Sequence, residues 1–279
     1  MTYFSYHTHT NYCDGKARAE AFIKRAIELG MKAVGFSSHA PFLVNVSWNM
    51  DENRLMSYVS EIRALSAKYQ EEIDVYLSLE LDYIPGITQT FEQRVKQCGL
   101  DYTIGSVHLV KSPVENEFLF LDGPDTNYSH GLECFYKGDV KKMVKDYFSQ
   151  INEMILDQRP DIIGHIDKIK MNNKGRYFSE EEKWYQDLLK ESIAVIKETD
   201  CIVEINTRGL YTKKSPAFYP DFNFAKTCRK HKIPMTISTD AHHPDELLLN
   251  FDDAAKMLKE SGYDSIRIYD KGRWKDVGI

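Results

Sequence analysis

The sequence predicts an α/β protein in which parallel strands close into one TIM-like barrel. Three observations indicate this fold: short apolar segments alternate with longer amphipathic ones, seven such units follow one another, and the chain has 279 residues. Strands joined by helices pair in parallel through right-handed crossovers, and a closed barrel is an economical arrangement at this length. We therefore expect a single domain over residues 1–279 built on a seven-stranded (β/α) barrel.

The strands are predicted from short apolar runs bounded by polar or turn residues. They cover residues 4–6, 33–37, 75–79, 102–107, 162–166, 202–205 and 235–238. The helices are predicted from apolar residues near helical spacing. They cover residues 17–29, 55–69, 91–97, 140–156, 180–197, 222–231 and 247–261. Gly30 ends the first helix, and Ser179 with Glu182 forms a predicted capping box at the start of the fifth.

One segment interrupts this alternation. Residues 111–138 are polar, rich in Asp, Asn, Ser and Gly, and too long for a plain connection between a strand and a helix. We expect this insertion to fold over the mouth of the barrel.

Composition narrows the class of protein. With 42% hydrophobic and 28% charged residues, the chain is typical of soluble globular proteins, and its net charge of −6 argues against a surface that binds nucleic acid. No apolar run is long enough to span a membrane, and the N-terminus lacks the features of a signal peptide. Five scattered cysteines without a CxxC motif indicate reduced thiols and a cytoplasmic location. The oligomeric state stays open.

Metal-ligating side chains follow the predicted strands at their carboxyl ends, where barrels of this type build active sites. Six of the nine histidines lie there, together with three carboxylates. In chain order these residues are His7, His9, Asp14, His39, Glu80, His108, His165, Asp240 and His242. A lone histidine is more often a hydrogen-bonded core residue than a ligand, and Asp240 alone could cap a helix. Chance placement of all six histidines is much less plausible.

Imidazole and carboxylate ligands together suit zinc, iron or manganese, and nine ligands are too many for one ion. Two or three clustered divalent ions lower the pKa of a shared water and hold phosphoryl oxygens during in-line displacement. The sequence has neither a P-loop nor a GxSxG motif, so a nucleotide-driven ATPase and a serine hydrolase are not predicted. These observations favour a metal-dependent phosphoesterase.

The motifs resemble those of the polymerase-and-histidinol-phosphatase (PHP) superfamily over essentially the whole chain. The similarity is carried by HTHTNYCDG, FSSHAPF, LELDY with the following GSVH, and STDAH. The histidinol-phosphate phosphatase branch is indicated by LELDYIPG, the insertion after His108, GHIDKIK and EINTRGL. The resemblance implies a distorted seven-stranded barrel of the PHP fold with three divalent ions. It also implies hydrolysis of L-histidinol phosphate to L-histidinol and phosphate, a step of histidine biosynthesis.

The resemblance also implies a role for each ligand. One ion would lie on His7, His9, Glu80 and Asp240, a second on Glu80, His108 and His165, and a third on Asp14, His39 and His242. A hydroxide shared by two ions would attack phosphorus, and Asp240 or His242 would give a proton to the leaving alkoxide. Lys170 is the first candidate for binding the phosphate and Lys168 the second, with Arg176 and Arg208 as further candidates.

Two other functions remain open from the sequence. The same site could serve a phosphoesterase with another substrate: a nucleotide, an oligonucleotide or a phosphotyrosine peptide. Alternatively, the chain could be a non-catalytic metal-binding PHP module. The net charge of −6 weighs against long nucleic acids, and the insertion favours a small phosphate ester. Every predicted ligand position is filled, which weighs against the non-catalytic module.

Overall fold

Strands and helices alternate along the chain, as the sequence predicts. The computed structural model describes residues 2–44 and 46–279, so Met1 and Asn45 lie outside the described residues. The strands are β1 Phe4–Ser5, β2 Ala33–Phe36, β3 Asp74–Leu77, β4 Glu80–Asp82, β5 Ile104–Ser106, β6 Leu109–Lys111, β7 Phe118–Phe120, β8 Ile162–Ile163, β9 Ile202–Asn206, β10 Met235–Ser238, β11 Ser265–Asp270 and β12 Arg273–Gly278. The helices are α1 Ala19–Glu28, α2 Leu55–Tyr69, α3 Phe91–Cys98, α4 Asp125–Tyr136, α5 Val140–Gln158, α6 Lys183–Lys197, α7 Arg208–Tyr211, α8 Phe222–Lys230 and α9 Phe251–Glu260.

The central strands form two parallel sheets. One has three strands in the order β1-β2-β3, and the other has five in the order β10-β9-β8-β5-β4. The α/β class and the parallel pairing are therefore as predicted. A closed seven-stranded barrel is not confirmed, because the parallel strands of residues 2–44 and 46–279 divide into these two sheets.

The two sheets approach each other where the polar motifs lie. Thr8 forms a parallel bridge with Ala241, beyond the ends of β1 and β10. The amide of His9 donates to the carbonyl of Ala241 at 2.8 Å, and the amide of Ala241 donates to the carbonyl of His7 at 3.2 Å. On the other side, His39 forms a parallel bridge with Glu80. Backbone pairing therefore fixes the segments that carry the predicted ligands.

The helices bury one apolar face against these sheets. On α1, Phe22, Ile23 and Ala26 are fully buried, whereas the intervening charged residues face outward. Burying a side chain of the size of Phe or Ile contributes about 1.5–3 kcal/mol, so such faces hold the helices in place. No described helix combines the length and the apolar character needed to cross a bilayer.

The predicted start of one helix is wrong by one turn. Helix α6 begins at Lys183, because Ser179 and Glu182 close a separate turn ahead of it. The Ser179 amide donates to Oε1 of Glu182 at 3.0 Å, and Oγ of Ser179 accepts from the Glu181 amide at 3.2 Å. One of the two bonds of the predicted capping box is therefore present, but it lies one turn ahead of the helix, and Oγ of Ser179 bonds to Glu181 and not to Glu182.

Two further features were not predicted. The insertion over residues 111–138 contains β7, which pairs with β6 in an antiparallel hairpin, and then α4. At the C-terminus β11 and β12 form a second hairpin, and Oη of Tyr6 donates to the Tyr269 carbonyl there at 2.8 Å. The ring of Trp274 packs edge-on against Tyr6 and Tyr102, so an aromatic cluster joins this hairpin to the sheets.

Candidate metal centre

Glu80 lies at the centre of the predicted ligands. Its side chain is 1% exposed, and it begins β4 directly after the two residues that separate β3 from β4. Oε2 of Glu80 lies 3.1 Å from Nε2 of His7, 3.4 Å from Nε2 of His9 and 3.2 Å from Nδ1 of His39. One carboxylate oxygen therefore faces three imidazoles that come from two different strand ends.

The second oxygen of Glu80 faces two other histidines. Oε1 lies 3.0 Å from Nε2 of His165 and 3.5 Å from Nε2 of His108. It also accepts a hydrogen bond of 2.6 Å from Oγ of Ser106 in β5. The two oxygens thus divide five histidines into two sets, which is the arrangement expected of a carboxylate that bridges two ions.

Asp14, Asp240 and His242 complete the cluster. Nε2 of His9 lies 3.2 Å from Oδ1 of Asp240, and Nε2 of His242 lies 3.1 Å from Oδ2 of Asp14. Nε2 of His39 is 4.0 Å from Oδ1 of Asp14. Asp240 has a left-handed backbone with φ of 52°, a conformation that non-glycine residues adopt rarely and that often marks functional sites.

All nine predicted ligands therefore lie in one cluster. Their ligand atoms form four overlapping groups that could each hold an ion: His9, Asp14, His39 and His242; His7, His9 and Asp240; His7, Glu80 and His165; and His39, Glu80 and His108. These groups differ from the sets that the resemblance implies. Glu80 is not grouped with His9 and Asp240, and His108 and His165 fall in separate groups. Both nevertheless reach the same oxygen of Glu80.

The donor atoms fit divalent ions in two respects: many of them have no hydrogen-bond partner, and all are nitrogen or oxygen. Within residues 2–44 and 46–279, several buried ring nitrogens and carboxylate oxygens of the cluster have no hydrogen-bond partner: His7 Nε2, His9 Nε2, His39 Nδ1, His165 Nδ1, Asp14 Oδ1 and Asp240 Oδ1. Buried polar atoms are rarely left without a partner, so this concentration of unpartnered atoms fits a binding site for metal ions. Nitrogen and oxygen donors without thiolate suit catalytic zinc, iron or manganese.

The charges in the cluster also suit metal binding. Burial alone would raise the pKa of Glu80, but the surrounding imidazoles, chiefly His7 and His39, hold that pKa well below its usual range. Burial lowers the pKa of His9 and also that of His165. The central carboxylate is therefore ionised, and these two imidazoles are neutral, which is the form that binds a metal ion.

Glu204 hydrogen-bonds to residues of the cluster and was not predicted as part of the site. It lies in β9, is fully buried, and its Oε1 accepts a 2.7 Å hydrogen bond from Nδ1 of His7. Its Oε2 accepts from the His165 amide at 3.0 Å and from Nδ2 of Asn206 at 3.0 Å. Nδ2 of Asn206 also contacts Oδ2 of Asp240 at 3.2 Å. The signal in the sequence was a carboxylate inside an apolar strand, IVEIN.

Asp82 has the same relation to His108. Its Oδ1 accepts from Nδ1 of His108 at 2.8 Å and from the backbone amide of the same residue at 3.0 Å. Nε2 of His108 is thereby left to face Glu80. A carboxylate that accepts from the far nitrogen of a histidine fixes its tautomer and ring orientation, as is common around metal ions.

A cavity of about 320 Å³ opens above the cluster, at the lower end of the size range for small-molecule sites. Its lining includes His39, Glu80, Asp240 and two of the predicted phosphate-binding cations, Lys168 and Arg208. A larger cavity of about 670 Å³ lies beside it. Among the described residues, the lining of that second cavity contains none of the nine predicted ligands.

The four predicted cations have different surroundings. Lys168 is buried with its Nζ 2.9 Å from Oδ2 of Asp122. Burial alone would lower the pKa of Lys168, but Asp122, Asp240 and Glu80 together raise it. Arg208 donates to the Asp240 carbonyl at 3.0 Å. These two reach the cavity.

The other two cations lie elsewhere. Nζ of Lys170 is 2.6 Å from Oδ2 of Asp167 and 3.3 Å from Oε2 of Glu180, and Lys170 is absent from the described lining of the cavity. Arg176 is partly exposed and pairs with Asp125 at 2.7 Å. The structure therefore does not bring Lys170 or Arg176 to the cluster.

The insertion contributes to the walls of this cavity. Asp122, in the turn between β7 and α4, lies 3.8 Å from Nε2 of His108 as well as beside Lys168. The ring of Trp48 packs edge-on against His108 and against Phe120 of β7. Residues from two separate segments thus meet over His108.

Comparison with known proteins identifies the family of this chain. The PHP domain family matches residues 5–208. A histidinol-phosphatase from Bacillus subtilis is 22% identical over 256 residues, which cover 86% of this chain and 94% of that protein.

Two solved structures have a similar fold. A histidinol phosphatase candidate from Listeria monocytogenes superposes with a TM-score of 0.78 at 20% identity, covering 90% of this chain and 99% of that one. Histidinol phosphate phosphatase from Lactococcus lactis, solved with zinc, L-histidinol and phosphate, superposes with a TM-score of 0.70 at 18% identity, covering 98% of this chain and 99% of that one.

Proposed function

We propose that this chain, which belongs to the PHP domain family, is a metal-dependent phosphomonoesterase that hydrolyses L-histidinol phosphate to L-histidinol and phosphate. The observation that carries the proposal is the convergence of six histidines and three carboxylates in one cluster, with Glu80 facing five of those histidines. The choice of substrate is supported by the histidinol-phosphatase relatives, which match this chain over most of its length.

The nine residues would hold up to three divalent ions. His7, His9, Glu80 and Asp240 would bind one, Glu80, His108 and His165 a second, and Asp14, His39 and His242 a third. Such ions would lower the pKa of a bound water to produce a nucleophile and would neutralise phosphoryl oxygens. The role of the protein is to hold the imidazoles in the right tautomer and to keep Glu80 ionised. Glu204 and Asp82 serve the first of these purposes for His7 and His108.

The phosphate would be bound by Lys168 and Arg208, which line the cavity beside Asp240. A cation at this position balances the dianionic ester, and charge-assisted hydrogen bonds to phosphate are stronger than neutral ones. Lys170 is not proposed as a phosphate contact. Its Nζ lies beside Asp167, Glu180 and Asp221, and none of the three is among the described residues that line the cavity.

The leaving alkoxide needs a proton, and Asp240 or His242 would supply it. Both residues line the cavity with the two proposed phosphate-binding cations. Nδ1 of His242 lies 2.9 Å from the Asp240 carbonyl and donates to it, which leaves Nε2 turned toward Asp14 and the cavity.

We also propose that the two sheets are parts of one distorted seven-stranded barrel in a single domain. β3 and β4 are separated by only two residues and act as two halves of one strand. The bridges Thr8–Ala241 and His39–Glu80 join the sheets at the site. The insertion would then cover the mouth, which is supported by the contacts of Asp122 with Lys168 and His108. A cytoplasmic location is supported by the five cysteines, none of which forms a disulfide.

The experiment is metal removal followed by reconstitution. Purified protein is stripped with a chelator, phosphate release from L-histidinol phosphate is assayed, and Mn²⁺, Zn²⁺ or Fe²⁺ is added back. We expect no turnover without metal and recovery with at least one of the three ions. Activity that survives complete metal removal would contradict the mechanism. Greater kcat/KM on nucleotides or phosphotyrosine peptides than on L-histidinol phosphate would contradict the choice of substrate.

A further inference from the structure

Asp122 differs from the other carboxylates at the cavity. Four carboxylate residues are among the described residues that line it: Asp14, Glu80, Asp122 and Asp240. Asp14, Glu80 and Asp240 belong to the groups that could hold metal ions, whereas Asp122 belongs to none of them. Asp122 is therefore the carboxylate of this lining that remains available to a cationic part of a substrate.

The partner of Asp122 is the lysine proposed to bind phosphate. Oδ2 of Asp122 lies 2.9 Å from Nζ of Lys168, and the two side chains are 24% and 10% exposed. A phosphate group that binds Lys168 must compete with this carboxylate for the lysine ammonium group. If nothing replaced Lys168, the partly buried Asp122 would lose its ion pair with the lysine and would face Nε2 of His108, a proposed metal ligand, at 3.8 Å, which is costly.

We infer that Asp122 binds the ammonium group of the substrate and so determines specificity for an amino alcohol phosphate; this inference rests on the proposed function. In L-histidinol phosphate the ammonium-bearing carbon is bonded to the carbon that carries the phosphate ester. A phosphate on Lys168 therefore brings the ammonium group close to the carboxylate that Lys168 has left.

The binding step is an exchange of ion pairs. Before binding, Lys168 is paired with Asp122. After binding, Lys168 is paired with the phosphate of the ester and Asp122 with its ammonium group. No charge is left unpaired. An ester without the amine breaks the Lys168–Asp122 pair and offers no replacement, so it binds less well even when its phosphate is identical.

The test compares two esters that differ only in the amine. The substrates are L-histidinol phosphate and 3-(imidazol-4-yl)propyl phosphate, and the proteins are the metal-loaded wild type, Asp122→Asn and Asp122→Glu. We expect the wild type to prefer the amino ester in kcat/KM by about 10- to 100-fold, the range for a hydrogen bond to a charged group. In Asp122→Asn the ratio should fall close to one, through a higher KM for the amino ester and a higher kcat/KM for the other. Asp122→Glu should retain part of the preference.

Glu133→Gln is the matched control, because Glu133 is an exposed acid on α4 of the same insertion. It removes the same charge and should keep the wild-type ratio. Metal content of each variant is measured in parallel. An unchanged ratio in Asp122→Asn overturns the inference, and so does equal loss on both esters together with lost metal, which would make Asp122 a ligand. If the wild type hydrolyses neither imidazole ester but does hydrolyse p-nitrophenyl phosphate, the proposed function itself fails and this inference falls with it.

Discussion

Nδ1 of His7 donates a 2.7 Å hydrogen bond to Oε1 of Glu204, and both side chains are fully buried. Burial alone would raise the pKa of Glu204, but the charge of His7 and their hydrogen bond lower it, so the group is a carboxylate. Because this carboxylate accepts the proton on Nδ1 of His7, Nε2 is the nitrogen that would give up its proton to bind a metal ion. The same carboxylate accepts from the His165 amide, so it positions parts of two predicted ion sites.

Glu204→Gln should therefore weaken metal binding without unfolding the protein. The amide of Gln has one acceptor oxygen, which cannot serve both His7 and the His165 amide, so its NH₂ group would face one of these donors. Losing such a carboxylate typically costs about 10- to 100-fold in metal affinity. The measurement is metal content after dialysis against a competing chelator, with circular dichroism to check the fold. Glu191→Gln on the exposed face of α6 is the control, and equal metal retention in both variants would contradict this role.

Metal removal should lower the melting temperature as well as the activity. Binding to the folded state alone contributes about 4 kcal/mol per site when the metal concentration is 1,000 times Kd. For a domain of this size that corresponds to a shift of about 10 °C. Differential scanning calorimetry before and after chelation measures it. An unchanged melting temperature in protein shown to be free of metal would argue against ions at this cluster.

His9→Ala should abolish turnover while the fold persists. His9 is fully buried between Glu80 and Asp240 and belongs to two of the four groups that could hold an ion. We expect kcat to fall by about 10³-fold or more, as happens when a group that acts on the transition state is removed. His231→Ala is the matched control, since His231 is exposed at the end of α8. Comparable activity in the two variants would exclude His9 as a ligand of a catalytic ion.

Glu52 should make stability depend on pH in the acid range. Hydrogen bonds from the buried Arg94 guanidinium, at 2.7 and 2.8 Å, lower the pKa of Glu52 below its ordinary value of 4.5. The stabilisation is therefore complete above that value and is lost as the pH falls through the lower folded-state pKa. Because the Glu52 side chain is 57% exposed, its contribution is at most about 1 kcal/mol.

Urea unfolding of the wild type and Glu52→Gln at several pH values measures this effect. The difference in unfolding free energy should be constant from pH 8 to about 5.5 and should shrink below about 4.5. A difference that grows as the solution is acidified would contradict the assignment. Glu61→Gln, a second acid in the same region, controls for the loss of one charge.

The sequence predicted the cluster because its geometry follows from local rules. Residues two apart in extended chain face the same side, so His7 and His9 could be paired from their spacing alone. The carboxyl ends of parallel strands meet on one side of the sheets, which brought Glu80 and Asp240 into the same set. Residues that hydrogen-bond to the far side of a ligand, as Glu204 does to His7, follow no local rule, because their role depends on which strands become neighbours.

The two lysines of GHIDKIK show where such rules fail. Residues two apart face the same side only in extended chain, whereas Lys168–Lys170 forms a 3-10 turn. With three residues per turn, side chains two apart point in directions about 120° apart. Lys168 thus faces the cavity, while Lys170 faces Asp167 and Glu180.

Matched substitutions of these two lysines should affect different properties: catalysis for Lys168 and stability for Lys170. Lys168→Met should lower kcat/KM for L-histidinol phosphate by about 100-fold or more, because it removes a proposed phosphate contact. Lys170→Met should mainly lower stability, by about 3–5 kcal/mol, because it leaves the buried Asp167 without its partner. Kinetics of the metal-loaded proteins and their melting temperatures separate the two effects. Lower kcat/KM with unchanged stability in Lys170→Met would return the phosphate-binding role to Lys170 and would require the turn to rearrange when substrate binds.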